Sequence, residues 1–596
     1  MRARDKGLAT ALVTLAAALA LMMPAAVSDA DGGGDVLFKK SFGGPATDMF
    51  LSVIEVPGGF VAVGYSENGS FGSGDWAGEK GGGRFDAIIV KYDHDGNVLW
   101  KKRFGGSGDD CYNSVAAVPG GFVAVGYASV FGNGDWTGVA GKGLNDAIAV
   151  MYDDDGEALW WKNFGGADRD AFQSVAAVPG GIVAVGESVA KSFGTGDWDG
   201  TAGNGGNDAI AVMFDGDGEV MWKRHFGGSG GDYYRSVAAV PGGVVAVGYS
   251  DGGSFGNGDW GGTAGNGGSD AIAVMYDGKG EVVWKRCFGG PASDQYWSVA
   301  AAPGGVVAVG YSDGGSFGNG DWGGTAGNGG SDAIAVMYDG DGDVVWRAAF
   351  GGPGGDYYWS VAAVTGGFVA AGYSEGGSFG KGGWSGTAGY GDADATAVKY
   401  DHGGNVVGKA SFGGPGMDHY KSVAAAPGGF VAVGDSTEGS FGKGGWSGTA
   451  GKGGNDAIAV MHSDMVFVPV SDITGVPSSA AAGRPLSLTG GTAPSDATDK
   501  AIAWTLEDAG GTGATISGNT LSTRTEGAVV VKATVANGPS PGTPFTKEFT
   551  IEVTAQEDGG GLSGQAVIWV AVAALAVAVL VAAALYMRRG ASKEGR

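Results

Sequence analysis

Residues 282–290 read VVWKRCFGG, and the chain continues with YWSVAAAPGG at 296–305, VVAVGYS at 306–312 and DAIAVMYD at 332–339. Each run is rich in valine, aromatic or small residues, and the runs are separated by glycine-containing or Asp-Gly turns. This pattern is typical of short β-strands joined by tight turns. It predicts four antiparallel strands, with one long glycine-rich loop between the third run and the fourth.

The same unit occurs seven times along the chain. Its Phe-Gly-Gly signature begins at seven positions that lie 60 or 62 residues apart: Phe42, Phe104, Phe164, Phe226, Phe288, Phe350 and Phe412. Sevenfold repetition of a four-stranded unit is the pattern of a β-propeller, whose blades leave only short, protected edges. A solenoid of stacked hairpins is the alternative, and a solenoid needs no closure.

The two ends of the repeat region distinguish these architectures. The first unit begins directly with VLFKKSFGG at 36–44, the strand that elsewhere follows DAIAVMYD. The seventh DAIAVM, at 456–461, is followed by HSDMVFVPVS, which has neither the Trp-Lys pair nor Phe-Gly-Gly. We therefore expect the N-terminal strand to supply the missing strand of the last blade and to close a seven-bladed propeller over residues 35–463.

Composition excludes several other classes of protein. The 596 residues include 125 glycines but only 18 prolines, and they show no Gly-X-Y period, so a collagen is excluded. With 43% hydrophobic and 10% aromatic residues the chain can build a core, which excludes general disorder. The formal charge of −26 would repel phosphate backbones, so we expect no nucleic-acid partner.

The repeat resembles a known family. Its recurring motifs are F-G-G-x-x-x-D-x-Y-x-S-V, G-G-x-V-A-V-G-Y-S, D-A-I-A-V and D-G-x-V-x-W. Through these motifs all seven units resemble the seven-bladed β-propeller repeats of large bacterial and archaeal surface proteins. The resemblance implies an architecture and a surface location, and it implies no activity, because propellers carry out many functions.

A second module is predicted at 468–556. It shows alternating strand patterns separated by Pro, Gly and Ser turns, which suits a β-sandwich of about 90 residues. The runs ITGVPSSAAAGRPLSLTG at 473–490, ATDKAIAWTL at 497–506 and ATISGNTLST at 514–523 resemble the bacterial immunoglobulin-like (Ig-like) domains of cell-surface proteins. EDGGGLSG at 557–564 has the composition of a flexible linker.

The two termini carry targeting signals. Basic residues precede an apolar run over 8–23 that ends in small residues, which predicts a signal peptide over 1–28. Residues 566–587 contain no charge and would span about 33 Å as a helix, against a hydrocarbon core of roughly 30 Å. The basic tail at 588–596 then predicts a single-pass protein in the cell membrane, with the ectodomain outside and the C-terminus in the cytoplasm.

The predicted topology divides the turns between two faces of the propeller. The short Pro-Gly-Gly and Asp-Gly turns share one face, and the Phe-Gly-Gly turns and the long loops share the other, which is the candidate binding face. A tryptophan recurs in each long loop: Trp76, Trp136, Trp198, Trp260, Trp322, Trp384 and Trp446. Two aspartates also recur, one at Asp48, Asp110, Asp170, Asp232, Asp294, Asp356 and Asp418, the other at Asp86, Asp146, Asp208, Asp270, Asp332, Asp394 and Asp456.

Each recurring position has two interpretations. Repetition in every blade favours structure, with Asp accepting backbone N–H bonds and Trp packed between blades. The functional alternative is that the seven tryptophans are exposed as a ligand-binding ring that stacks on sugars. Calcium is a possible cofactor through the aspartates. The Asp-Gly turns, such as Asp339-Gly-Asp341-Gly342, resemble the start of a calcium loop, but they lack its twelfth-position glutamate, so a tight hairpin is favoured and no metal ligand is assigned.

The chain shows no recognisable catalytic motif. HExxH, GxSxG and P-loop patterns are absent from the sequence, and its five histidines are not at metal-ligand spacing. We expect a non-enzymatic surface protein that binds or adheres to glycans or surface proteins through the long-loop face. The near-identity of units four and five, 226–349, disfavours the alternative of a propeller-based polysaccharide lyase or glycosidase. A purely structural envelope component is the third possibility.

Overall fold

A computed structural model describes residues 34–495, 497–540 and 543–555. The regular secondary structure of these residues consists of β-strands and short 3₁₀ turns. No helix in these ranges has the length and apolar character needed to cross a bilayer. The predicted signal peptide, linker, membrane span and cytoplasmic tail lie outside the described residues. The predicted all-β class is confirmed.

The chain up to residue 463 forms seven four-stranded antiparallel sheets, called blades 1 to 7 here. The first strand, β1 (Val36–Phe42), belongs to the last blade. Blades 1 to 3 comprise β2 (Asp48–Val56), β3 (Gly59–Glu67), β4 (Phe85–Tyr92), β5 (Val98–Phe104); β6 (Asp110–Val118), β7 (Gly121–Ala128), β8 (Asp146–Tyr152), β9 (Ala158–Phe164); and β10 (Asp170–Val178), β11 (Gly181–Val189), β12 (Asn207–Asp215), β13 (Val220–Phe226).

Blades 4 to 7 repeat this arrangement. Their strands are β14 (Asp232–Val240), β15 (Gly243–Asp251), β16 (Ser269–Asp277), β17 (Val282–Phe288); β18 (Asp294–Ala302), β19 (Gly305–Asp313), β20 (Ser331–Asp339), β21 (Val344–Phe350); β22 (Asp356–Val364), β23 (Gly367–Glu375), β24 (Ala393–Tyr400), β25 (Val406–Phe412); and β26 (Asp418–Ala426), β27 (Gly429–Thr437), β28 (Asn455–Ser463). The second and third strands of each blade are almost wholly buried, because each sheet is covered on both faces by its neighbours.

The seven blades close into a ring. The first strand of each blade, its inner strand, contacts the inner strand of the next blade, and β26 of blade 7 contacts β2 of blade 1. At every one of these junctions a valine N–H donates to a serine hydroxyl of the preceding blade, for example Val299 N to Ser236 Oγ at 3.2 Å. The last such bond, from Val53 N to Ser422 Oγ, joins blade 1 to blade 7 at 3.2 Å.

The N-terminal strand completes blade 7, as predicted from the incomplete seventh unit. β1 pairs antiparallel with β28, from Val36 opposite His462 to Phe42 opposite Ala457. The Nζ of Lys452 also donates to the carbonyl oxygen of Ser41, at 3.1 Å. Seven four-stranded sheets and a closed circuit of inner strands establish the propeller.

Each long loop is fixed by the indole of its tryptophan. The residues Gly-Asp-Trp or Gly-Gly-Trp form a single 3₁₀ turn, and the seven turns are Gly74–Trp76, Gly134–Trp136, Gly196–Trp198, Gly258–Trp260, Gly320–Trp322, Gly382–Trp384 and Gly444–Trp446. In blade 4, Trp260 Nε1 donates to Asp232 Oδ1 and to Ser250 Oγ, both at 3.1 Å. The ring of Phe226, from blade 3, meets the Trp260 ring edge to face at 4.9 Å. The indole therefore joins two blades.

Two aspartates per blade are buried at the long-loop end. In blade 4, Asp232 Oδ2 accepts from Gly228 N at 2.9 Å and from Ser254 Oγ at 2.7 Å. Asp270 Oδ2, on the third strand, accepts from Asn266 N at 3.0 Å. Both side chains are fully buried, and burial is the main cause of the raised pKa of Asp232 and of the increase in the pKa of Asp270 to about 6.

The remaining strands form three small sheets. They are β29 (Asp472–Thr474), β30 (Ser479–Ala481), β31 (Leu486–Ser487), β32 (Gly491–Ala493), β33 (Ala503–Asp508), β34 (Thr515–Ser517), β35 (Thr520–Ser522), β36 (Gly527–Ser540) and β37 (Thr543–Thr554). The sheet β30-β37-β36-β33 and the sheet β31-β35-β34 share one core that includes Leu521, Val531 and Ile551. By their contacts the described residues divide into two compact units, of which the second comprises Ile473–Gly491, Ile502–Thr534 and residues 546–555.

Closure by β1 predicts a strong effect of its deletion. Removing residues 35–44 leaves the edge of β28 unpaired and removes Phe42, which is only 2% exposed. We expect Phe42→Ala alone to cost about 3–5 kcal/mol of stability, as buried Phe-to-Ala changes do. The matched control is Leu37→Ala on the same strand, where Leu37 is 52% exposed. An unchanged Tm for the deletion in differential scanning calorimetry would contradict closure.

The buried aspartates predict that the protein is more stable in mild acid. Burial raises the pKa of Asp208 and Asp394 to about 6 and that of Asp456 to about 7, against 3.8 for an ordinary Asp. Between about pH 4 and 7 the folded chain therefore binds more protons than the unfolded chain. The resulting stabilisation is complete below about pH 4 and is lost as the pH rises through the folded-state pKa values. We expect the Tm to be higher at pH 5 than at pH 8.

Two variants separate this effect from the decrease in overall charge repulsion. Asp456→Asn removes a buried titrating group and should flatten the dependence of Tm on pH. Asp341→Asn makes the same change of charge at an exposed turn and should leave that dependence unchanged. A Tm that increases steadily from pH 5 to pH 8 would contradict the assignment.

Candidate functional site

The seven predicted ligand-binding tryptophans lie inside the propeller. They are at most 1% exposed, and each indole N–H donates to a buried aspartate or serine. A ligand that stacked on these rings would need them exposed, so direct contact has no support in this structure. Their contacts fit the structural interpretation of Trp76, Trp136, Trp198, Trp260, Trp322, Trp384 and Trp446.

The Asp-Gly turns use their carboxylates internally. Asp339 Oδ1 accepts from Asp341 N at 3.0 Å and from Asp343 N at 2.8 Å, and Gly342 adopts a φ of +79°. These are the bonds of a tight hairpin turn. Over the described part of the chain, no group of three or more His, Cys, Asp or Glu side chains is arranged to hold a metal ion. The described residues therefore offer no set of ligands for the possible calcium ion.

At the long-loop end of the inner strands the residue types change from blade to blade. Three side chains per blade form what we call the axial surface, and they are partly buried except for Cys111 and Asp435, which are fully buried. The second residues of the inner strands are Met49, Cys111, Ala171, Tyr233, Gln295, Tyr357 and His419, and the fourth residues are Leu51, Asn113, Gln173, Arg235, Trp297, Trp359 and Lys421. Opposite the second residues, on the next strands, lie Tyr65, Tyr127, Glu187, Tyr249, Tyr311, Tyr373 and Asp435.

A β-bulge places the fourth residue of each inner strand. The pairing of β18 with β19, for instance, shifts register between Tyr296 and Ser298, which leaves Trp297 without a partner on β19. The same shift occurs in all seven blades. Because a bulged residue is released from the alternation of the strand, its side chain is free to meet the bulged residues of neighbouring blades.

In blades 4 to 7 the bulged residues form a stacked column. The guanidinium of Arg235 lies 5.3 Å from the ring centre of Trp297, whose ring stacks on that of Trp359 at 5.6 Å. The ammonium of Lys421 lies 3.2 Å from the ring centre of Trp359. Since neighbours from the blades on either side cover these two indole rings, the column fills its part of the axial surface and offers no free aromatic face.

Acidic residues replace the opposing tyrosine in two blades, and each acid has a basic partner. Glu187 Oε2 lies 3.6 Å from Arg235 Nη1. Asp435 Oδ2 lies 3.3 Å from His419 Nδ1, and its Oδ1 lies 3.7 Å from Lys421 Nζ. Burial raises the pKa of Glu187 and lowers that of Lys421 to about 8. These charges are compensated in pairs and hold the axial surface together.

Two clefts open between neighbouring blades at this end of the propeller. The cleft between blades 2 and 3 encloses about 420 Å³ and is lined by residues that include Tyr127, Arg169 and Glu187. The cleft between blades 6 and 7 encloses about 500 Å³, and its lining includes Tyr373 and His419. Both volumes are within the range of small-molecule sites, roughly 300–1,000 Å³. The axial surface with its two clefts is the candidate binding site.

Recurrence and variation mark different parts of the repeat. The repeated Trp and Asp residues build the ring, whereas the axial residues, which the sequence analysis did not single out, change from blade to blade. Even the nearly identical units four and five differ here, with Tyr233 and Arg235 in one and Gln295 and Trp297 in the other. Alignment of the seven units, and a search for the columns that vary inside otherwise constant strands, would have found this site.

The chain is similar to known proteins at the level of solved structures. No protein-family model matches the chain, and no curated protein matches it. Among solved structures, the chain is similar to the WD40 β-propeller domain of Doa1, with 9% identity over 71% of this chain and 97% of that chain and a TM-score of 0.34. It is similar to Sqt1 from Chaetomium thermophilum, with 10% identity, coverage of 72% and 100% and a TM-score of 0.34. It is also similar to puromycin hydrolase, with 12% identity, coverage of 86% and 60% and a TM-score of 0.38; likenesses at this level carry no statement about function.

Proposed function

We propose that this chain is a membrane-anchored cell-surface protein that binds a ligand at the axial surface of its propeller and does not transform it. One observation carries the proposal. The second and fourth residues of the inner strands change from blade to blade at the long-loop end of the ring, and they include aromatic, amide and charged side chains. A purely structural ring would have no need for this variation at a half-buried surface.

The chemistry of the axial surface supports binding rather than catalysis. The two acids of the axial surface itself, Glu187 and Asp435, are both paired with basic side chains and so are poorly suited to act as a free general acid and base. Two more acids, Glu375 and Asp392, line the cleft between blades 6 and 7, where both are exposed and Glu375 Oε2 accepts from Gly355 N at 3.0 Å. Glycosidases ordinarily use two carboxyl groups about 5–10 Å apart across the scissile bond. The acids of this surface lie in blades 3 and 7, which are not neighbours in the ring.

The remaining parts of the proposal concern display of the propeller. We interpret the second unit, in which two sheets share a core, as the Ig-like sandwich, and 566–587 as the membrane anchor. In sequence, the second unit and the predicted linker at 557–564 separate the propeller from the anchor. Glycans or surface proteins then reach the long-loop face, where the axial surface lies.

Protease treatment of intact cells tests the topology. Because nearly the whole chain is placed outside the membrane, added proteinase K should remove the full-length band and leave only a small C-terminal fragment. A cytoplasmic protein of the same cells serves as the control for intact membranes. Survival of the full-length band, when the purified chain is itself cleaved by proteinase K, would contradict an external location.

Site-directed blocking tests the proposed face. In a Cys287→Ser background, Met417→Cys places a reactive thiol beside the axial surface and Asp341→Cys places one on the opposite face. The full chain, screened on arrays of glycans and surface proteins, should lose binding when polyethylene glycol is attached at position 417. Binding should persist when the polymer is attached at position 341. Equal binding by the two conjugates would contradict the axial site, and release of cleaved sugar would show that the protein is an enzyme.

A further inference from the structure

A small residue, Ala171, borders the cleft between blades 2 and 3. Ala171 occupies the second position of its inner strand, where Tyr233 and Tyr357 stand in blades 4 and 6. The opening of about 420 Å³ is lined by Tyr127, Asn145, Arg169, Gln173, Glu187 and Asn207. This set joins an aromatic ring, three amides, a guanidinium and a carboxylate.

Part of the lining is rigidly held. Gln173 Nε2 donates to Glu187 Oε1 at 3.0 Å, and Arg235 from blade 4 pairs with the same carboxylate. The buried Asp170 also borders the cleft, and its Oδ2 accepts from Gly166 N at 2.9 Å and from Ser192 Oγ at 2.8 Å. These contacts hold Gln173, Glu187 and Asp170 in place, so the floor of the cleft is preorganised.

The rim of the cleft carries unused hydrogen-bonding groups. The side-chain amides of Asn145 and Asn207, the hydroxyl of Tyr127 and the guanidinium of Arg169 make no hydrogen bond or ion pair with any described residue. Arg169 is exposed, and its backbone bridges that of Asn145 across the two blades. Because the charge of Glu187 is compensated by Arg235, the guanidinium of Arg169 is the charged group at the rim that is available to a ligand.

The chemistry of these free groups defines a ligand. A guanidinium pairs with a carboxylate through two parallel hydrogen bonds, and amides donate to and accept from hydroxyl groups. A tyrosine ring adds an apolar face. We propose that this cleft binds acidic sugars, an inference that rests on the proposed function. Arg169 would pair with the carboxylate of a uronic acid residue, and Asn145 and Asn207 would hydrogen-bond its hydroxyl groups.

The cleft between blades 6 and 7 is a natural comparison within the same protein. The bridge between Ala393 and Met417 corresponds to the bridge between Asn145 and Arg169, so the two clefts are equivalent in register. Here the guanidinium is replaced by a thioether, and two acids, Glu375 and Asp392, line the opening. A cleft of similar volume but acidic character is expected to reject a uronate.

The test titrates the full chain with a galacturonic acid trisaccharide by isothermal calorimetry. We expect one binding site, and at least about tenfold weaker binding of the methyl-esterified trisaccharide, because esterification removes the charge that pairs with Arg169. Arg169→Ala should weaken binding of the acid by a similar factor, and Arg169→Lys should weaken it less. Lys279→Ala, which removes an exposed positive charge from an Asp-Gly turn on the opposite face, is the matched control and should leave the affinity unchanged. Because Arg169 is exposed, these variants should retain the Tm of the parent chain.

Distinct results would overturn the inference. Equal affinity for the acid and its ester, or an affinity unchanged by Arg169→Ala, would exclude the assigned contact. Binding of an oligoglutamate peptide as tightly as the trisaccharide would show a general site for acidic partners. No heat with the trisaccharide, together with array binding that is blocked by the polymer at position 417, would refute this cleft alone. No binding in either experiment would refute the proposed function as well.

Discussion

The hydrogen bond between a valine amide of one blade and a serine hydroxyl of the previous blade sets the geometry of the whole ring. It recurs at all seven junctions, at 3.1–3.3 Å. A closed ring tolerates no accumulated error, since the last blade must meet the first at the same distance and angle. Every junction must therefore be built alike, and this accounts for the Ser-Val pair that is constant in all seven blades and for the tryptophan that packs between blades.

The same constraint explains where the blades are free to differ. Residues in the second and third strands are covered on both faces, so a change there alters the spacing of two junctions at once. The second and fourth residues of the inner strands lie at the open end of the ring, and the bulge releases the fourth residue from the ladder. Changes at these positions affect neighbours at the axial surface without moving the sheets. Variation is thus concentrated where closure permits it.

Much of this structure could be predicted from the sequence. Fixed spacing and runs of valine, aromatic and small residues between glycine turns predicted the strands, and the strand missing from the seventh unit predicted the pairing of β1 with β28. Recurrence favoured a packed Trp260, but its contacts could not be predicted, because they depend on a 3₁₀ turn that directs the indole towards Asp232 and Ser250, 28 and 10 residues away. The contacts of Arg235 with Glu187 and Trp297 join three separate blades, and no local pattern indicates such a meeting.

The pairing of β1 with β28 also has a consequence for biosynthesis. The N-terminal strand leaves the ribosome long before its partner, since Phe42 pairs with Ala457. Blades 1 to 6 take all their strands from consecutive segments and can form as the nascent chain emerges, whereas the ring as a whole cannot. Until β28 has been synthesised, the growing molecule is an open arc with two unprotected ends. Those ends can pair with other chains throughout most of translation, so the period of greatest risk of aggregation precedes the completion of the seventh blade.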